Sequence, residues 1–314
     1  MKPVFPAIYS TLCPTALSSL ISEKYGLENV TCKFLVRGVG DTYQAGNYIL
    51  RVYRSSHRSL SQIQDEVDLL LALKEAGVSV SYPIDGMILK IDAAEGERHA
   101  VLFSFAEGQS VRLLSENQLR SLGHEMARFH NVSADIRLNG TRWNFDLETT
   151  VFKPLEVLQL GDDYEWVMDI AQQIKDKFAD IDTSGFSKGY CHFDFLPKNF
   201  HFENDKITFF DFDFMGYGWL VNDIMTFWQH LVLDVLTGRM KSFDEAYKTF
   251  LDAYREQRAV SDEELALVPY LAIGFWLFYM AFHTTHDQFY AFSQPTQIKS
   301  YVGVMKHIVE KYWA

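Results

Sequence analysis

The segment "GYCHFDFLPKNFHFENDKITFFDFDFMG", Gly189 to Gly216, constrains the fold more than any other part of the chain. It threads Asp194, Asp211, Asp213 and Asn199 through a run of bulky aromatics. Aromatic rings favour the interior, whereas a carboxylate taken out of water without a partner costs on the order of several kcal/mol. Both demands are met if the rings anchor a compact element and the polar groups project from one end. "FHF" and "ITFF" are β-prone and "ENDK" between them has turn composition, so a hairpin is predicted. Closing it brings Asn199, just before the first strand, next to Asp211, just after the second.

Two carboxylates and an amide oxygen meeting at one point make a hard, oxygen-only environment suited to Mg²⁺, which favours phosphate oxygens as further ligands. Asp194, five residues before Asn199, is close enough in sequence to orient a hydroxyl. Phosphoryl transfer needs such parts: metal ligands, a cation on the phosphates, and a carboxylate that positions the nucleophile. The plainer alternative, that these are turn and cap residues, leaves the features upstream unexplained.

Upstream, Lys33 to Val36 has strand character, followed by the glycine loop "RGVGDTY", a turn at Ala45, Gly46 and Asn47, and the alternating run "YILRVYR". "SQIQDEVDLLLALKEAG" places Ile63, Val67, Leu70, Leu71 and Lys74 at helical spacing, with Gly77 placed to stop the helix. Glu66 falls on the apolar face and so needs a cationic partner, for which Arg51 is the nearest candidate. A structural ion pair and a phosphate clamp explain that pair equally well. "RHAVLFSFAEG" is a strand running into a glycine-containing connection, and the lobe boundary falls near Ala106. Beyond it the pattern is mainly helical, with Leu119, Leu122, Met126 and Phe129 as one stripe. The expected domains are residues 1–106 and 107–314.

Composition narrows the partners. A formal charge of −12 argues against a nucleic-acid or anionic-membrane surface, since both require a basic face. The three cysteines have no metal-ligand spacing, and a reducing, cytoplasmic setting fits them. The amino-terminal run is broken by prolines and hydroxyls and is not expected to be a signal peptide. "VPYLAIGFWLFYMAFH" falls short of the roughly 20 residues a membrane helix needs and is read as a buried core helix. His283 and His286 could share a helix face, but without a further ligand they are better read as the polar edge of a packed helix. Trp143, Trp219, Trp228, Trp276 and Tyr279 could cage a quaternary ammonium, although core packing accounts for most of them.

"HFDFLPKN" resembles the H-x-D-x-x-x-x-N catalytic loop of the aminoglycoside phosphotransferase and choline kinase-like family, with Pro197 at the family's usual position. "FFDFD" is similar to that family's metal-binding segment. The glycine loop, the Arg51 strand, Glu66, "FSFAEG" and "LGHEMARFH" follow the same order, so the resemblance spans about residues 33 to 230. It implies an α+β, two-lobed protein-kinase-like fold: a small amino-terminal antiparallel β-sheet lobe with one helix, then a larger, mainly helical lobe. It also implies transfer of the γ-phosphate of ATP, or GTP in its place, to a hydroxyl of a small molecule with Mg²⁺. In that pattern Asp194 is the catalytic aspartate and His192 buttresses its loop. Asn199 and Asp211 are metal ligands, with Asp213 beside them. Gly38, Gly40, Asp41, Thr42, Arg51, Glu66, Ser104, Phe105 and Ala106 face the nucleotide. Asp223 caps the loop from a helix start.

Three departures bear on this pattern. Arg51 stands where kinases more often have lysine, which widens the donor fork but keeps the charge. Asp41 puts an anion near where phosphates should lie. Leu196 replaces the lysine of protein kinases, which favours the small-molecule branch. The alternatives are a nucleotide-binding module with weakened catalysis and a kinase of protein side chains. The acceptor and the oligomeric state are not legible in the sequence.

Overall fold

The computed structural model describes residues 6–313. They divide into two compact units. One holds the described residues up to Glu107 with Arg137–Thr141 and Thr208–Phe210, and the other holds Gly108–Ile136, Arg142–Ile207 and the chain from Asp211 onward.

The first unit is built on an antiparallel sheet in the order β1-β2-β3-β5-β4. Its strands are β1 (Cys32–Arg37), β2 (Asp41–Ala45), β3 (Tyr48–Val52), β4 (Pro83–Ala93) and β5 (Gly96–Ser104). The turn between β2 and β3 carries Gly46 at φ 60°, a left-handed conformation that costs glycine little. β4 is hard to foresee because Asp85 and Gly86 both take positive φ and its register slips between Pro83 and Ile88. The resemblance implies one helix in this unit; the structure has α1 (Pro14–Tyr25) as well as α2 (Leu60–Glu75). α1 buries only Leu17 and Ile21, four residues apart, too sparse a stripe to stand out among prolines and hydroxyls.

α2 starts at a capping box between Ser59 and Gln62. Its buried face is wider than the one read from spacing. Asp65, Leu69 and Leu73 are buried with Ile63, Glu66, Val67 and Leu70, whereas Leu71 is half-buried and Lys74 exposed. For Asp65 the reason is the Arg137–Thr141 strap. Asp65 accepts bonds there from Asn139 N and Nδ2 (3.1 Å each) and from Thr141 N (3.1 Å).

The second unit contains α3 (Glu116–Ser133), the single turn α4 (Lys153–Leu155), α5 (Tyr164–Ala179), α6 (Val221–Leu236), α7 (Asp244–Gln257), α8 (Asp262–Ala266), α9 (Val268–Thr284) and α10 (Pro295–Tyr312). The predicted stripe of α3 is buried in full. Gly123 lets α3 cross α7 closely, because a Cβ there would stand 2.4 Å from the Phe250 carbonyl oxygen. α9 is buried nearly end to end, and among the described residues no helix is long and apolar enough to cross a membrane.

A small sheet, β6 (Trp143–Phe145), β10 (Gly216–Trp219) and β7 (Lys188–Cys191), and a hairpin of β8 (Phe200–Glu203) and β9 (Lys206–Phe209) complete the pattern. The hairpin is the one expected, and its turn residue Asn204 sits at φ 57°. The small sheet was not foreseen. Its strands are three or four residues long, too short for alternation to register.

Candidate active site

β7 delivers the chain into His192–Asn199, and the loop is held by α6. Asp223, fully buried at the start of that helix, accepts Phe193 N at 2.7 Å on Oδ1 and His192 N at 3.0 Å on Oδ2. Thr226 one turn on accepts Phe195 N at 3.2 Å. These bonds hold Phe193 at φ 63°, a conformation that costs a non-glycine residue about 1–3 kcal/mol. Stacking on Phe145, with centroids 3.6 Å apart, adds to the restraint. Asp223 thus caps the loop from a helix start, as the resemblance implied.

His130 of α3 was not singled out from the sequence. Its Nε2 lies 3.0 Å from Asp223 Oδ2 and its Nδ1 lies 2.7 Å from the Tyr254 hydroxyl. Since a carboxylate only accepts, Nε2 carries the proton and Nδ1 accepts from the tyrosine. Burial holds the His130 pKa below its ordinary value against the opposing pull of Asp223, which keeps the ring neutral. His192 is also buried. Its ring packs on Phe195 and Phe212 at 4.6 and 4.4 Å between centroids, and its Nδ1 accepts Asp194 N at 3.3 Å. It buttresses the loop rather than pointing out of it.

Asp194 is 6% exposed. Its Oδ2 accepts from Asn199 Nδ2 at 2.7 Å and pairs with Lys198 Nζ at 2.9 Å. Its Oδ1 is buried with no hydrogen-bond partner. A buried carboxylate oxygen left without a donor is costly, and a substrate hydroxyl would satisfy it. Asn199 is buried, and its amide nitrogen also donates to the Asp194 carbonyl at 2.8 Å.

Asp211 follows β9 at φ 64°, ψ 59°, and its side chain is exposed. Asp213, two residues on, is buried, so the two acids of the "DFD" run face different surroundings. Arg142, unremarked in the sequence, fixes the turn that follows: it donates to the carbonyls of Asp213 (2.6 Å), Phe212 (3.0 Å) and Met215 (3.4 Å). Among the described residues, no three acidic, histidine or cysteine side chains cluster to hold a metal alone. A cation at Asn199 and Asp211 would have to complete its shell with phosphate and water oxygens, which suits magnesium.

In the first unit, Arg51 Nη1 lies 3.6 Å from Glu66 Oε1, the partnership predicted from α2. Gly40 is needed where it stands, because a Cβ would come within 2.8 Å of the Val52 carbonyl oxygen. Gly38 N donates to Gly40 O at 2.9 Å, closing the loop, and Thr42 sits opposite Arg51 in the ladder. Asp41 is buried inside an arginine cluster: Arg98 donates at 3.0 Å, Arg37 at 3.1 Å, and Arg54 stands 3.6 Å away. Its charge is therefore neutralised internally. The concern that it would repel a phosphate has no electrostatic basis, since three cations surround one anion. Ser104 is tied to the start of β4 through bonds with Tyr82 and Ser81, and Ala106 is buried just past the strand end, after Phe105.

On α9, burial shifts the pKa values of Tyr279 and His283 in opposite directions, and Lys198 lowers both. Burial raises Tyr279 to about 12 and pushes His283 down to about 4. His283 and His286 each bond a backbone carbonyl one turn back at 2.7 Å, as residues of a packed helix do. Of the aromatics considered for a cage, Trp228 and Trp276 are buried. Trp219 stacks on Phe178 and Trp143 packs edge-on against Phe278.

A family model described as "Phosphotransferase enzyme family" matches residues 32–263. An amicoumacin kinase of Bacillus subtilis is 25% identical over 85% of this chain and 84% of its own length. Two solved structures share the fold. A microcompartment-associated aminopropanol kinase has a TM-score of 0.75 at 22% identity, over 95% of this chain and 97% of its own. An amicoumacin kinase, solved with AMP-PNP, Ca²⁺ and Ami, has a TM-score of 0.73 at 22% identity, over 93% of both chains.

Proposed function

This chain belongs to the phosphotransferase enzyme family, a family of small-molecule kinases, and we propose that it transfers the γ-phosphoryl group of ATP to a hydroxyl of a small amino alcohol or aminoglycoside-like compound. The observation that carries this reading is the Asp194 carboxylate: one oxygen is held by Asn199 and Lys198, and the other is buried and unpartnered. An acceptor hydroxyl donating to Oδ1 would satisfy it. As the acceptor oxygen forms its bond to the γ-phosphorus, its proton passes to Asp194. The bond from γ-phosphorus to the bridging oxygen breaks, and the electron pair leaves with ADP.

Asn199 and Asp211 would hold magnesium, since Asn199 commits its amide nitrogen to Asp194 and keeps its oxygen for a cation. When bound, that ion would offset charge developing on the phosphates. Asp213 contributes to the same segment from its buried position. Arg51 with Glu66, the loop from Gly38 to Thr42, and the Ser104–Ala106 connection would bind the nucleotide, with Asp41 fixing the loop through its arginines. An amicoumacin kinase solved in complex with AMP-PNP and Ca²⁺ supports both nucleotide and divalent-ion use. The relatives' substrates, amicoumacin and aminopropanol, support an amine-bearing alcohol as acceptor.

The test begins with calorimetry of ATP and GTP, with and without Mg²⁺, on the wild type and on Asp211→Ala. Magnesium-dependent binding that the variant loses is expected, followed by an ATP-consumption screen over amino alcohols, homoserine, choline and aminoglycosides. Asp194→Ala should bind nucleotide and fail to turn over. Full turnover by that variant would sink the assignment.

A further inference from the structure

In the roles above Lys198 only holds Asp194 Oδ2, with its ammonium 2.9 Å from that carboxylate, and nothing is assigned to it toward the phosphates. It stands on a single 3₁₀ turn, Pro197–Asn199, whose backbone is fixed on both sides. Leu196 N donates to Asp194 O at 2.7 Å, Asn199 N to Leu196 O at 2.8 Å, and Ser110 Oγ to Pro197 O at 2.5 Å. The side chain is 59% exposed along its length and ends on an acid whose side chain is 9% exposed. A half-exposed ion pair adds little stability, so its position calls for another explanation. The ammonium thus lies against the acid proposed to take the proton.

We propose that Lys198 is a further catalytic residue, whose ammonium stays on Asp194 Oδ2 and donates at the same time to a non-bridging oxygen of the transferred γ-phosphoryl group. This rests on the assignment of Asp194 given under Proposed function. In the transfer the lysine keeps all three protons; the acceptor proton goes to Asp194 Oδ1 and the electron pair of the broken bond leaves with the nucleoside diphosphate. The lysine offsets two repulsions, between Asp194 and the incoming phosphoryl oxygens and between those oxygens themselves. It supplies from four residues after Asp194 the positive charge that Leu196, two residues after it, does not carry.

The discriminating measurement is affinity for Mg²⁺–AMP-PNP against Mg²⁺–ADP, since only the first carries a γ-phosphoryl group. Losing a charged hydrogen bond corresponds to roughly tenfold or more in affinity. Lys198→Met should therefore weaken AMP-PNP about tenfold while leaving ADP unchanged, and Lys198→Arg should restore most of the difference. A lysine that only orients Asp194 would leave the AMP-PNP to ADP ratio untouched in both variants, and that result, with melting temperatures unaltered, overturns the proposal. Failure of the wild type to bind either nucleotide would overturn the phosphotransferase reading as well, and so is distinguishable.

Discussion

Replacing Asp223 by asparagine probes the device that shapes the catalytic loop. The two carboxylate oxygens accept three buried donors: Phe193 N at 2.7 Å on one, His192 N and His130 Nε2 at 3.0 Å on the other. An asparagine keeps one acceptor oxygen and turns an NH₂ toward at least one donor. In its better orientation it loses the Phe193 bond and leaves that amide buried and unpaired, at about 1–3 kcal/mol, and the two surviving bonds fall from charged to neutral strength. The total is about 3 kcal/mol. For a unit of this size that corresponds to a fall of roughly 6–12 °C in Tm, read by far-ultraviolet circular dichroism. Phe193, no longer held at φ 63°, should relax and carry Asp194 with it, so turnover drops while nucleotide affinity survives. A Tm within about 2 °C of the wild type would refute the argument that these three bonds bear the loop's strain.

Further expectations follow from other parts of the molecule. Burial pushes His283 down to about 4, below the roughly 6.5 of a free imidazole, so folding excludes a proton. Its contribution is whole above about pH 6.5 and is lost as the pH falls toward 4, the loss amounting to roughly 2 kcal/mol by about pH 5. In denaturant titrations His283→Gln should lose correspondingly less stability between about pH 7.5 and 5 than the wild type. Gly123→Ala should destabilise by about 1–3 kcal/mol, because its Cβ meets the backbone of α7; an unchanged Tm would refute a close crossing at this glycine. Arg142→Ala removes donors from three carbonyls after Asp211. It should weaken magnesium-dependent nucleotide binding by calorimetry while leaving magnesium-free binding alone, and equal weakening of both would refute a role at the Asp211 turn.

The order of the parts was legible in the sequence because each rests on local chemistry. Turn residues flanking β-prone runs give the hairpin, glycines give the loop after β1, and a carboxylate on an apolar helix face requires the cation at Arg51. The same locality explains what was missed. His130, Arg142, Asp65 and Lys198 act on groups distant in the chain or through a turn whose shape is set elsewhere. No periodicity marks a histidine on α3 that will meet an aspartate ninety-three residues later. The effect of Asp41 was also beyond the sequence. Its neighbours Arg54, just past β3, and Arg98, on β5, are distant in the chain, so its charge looked exposed to a phosphate until the fold enclosed it among arginines. The sequence alone determined which chemistry the chain could attempt, through residue types and spacing. Only the tertiary structure decided which oxygen of Asp194 is left without a donor, because that depends on where Asn199, Lys198 and α6 converge once the core has packed.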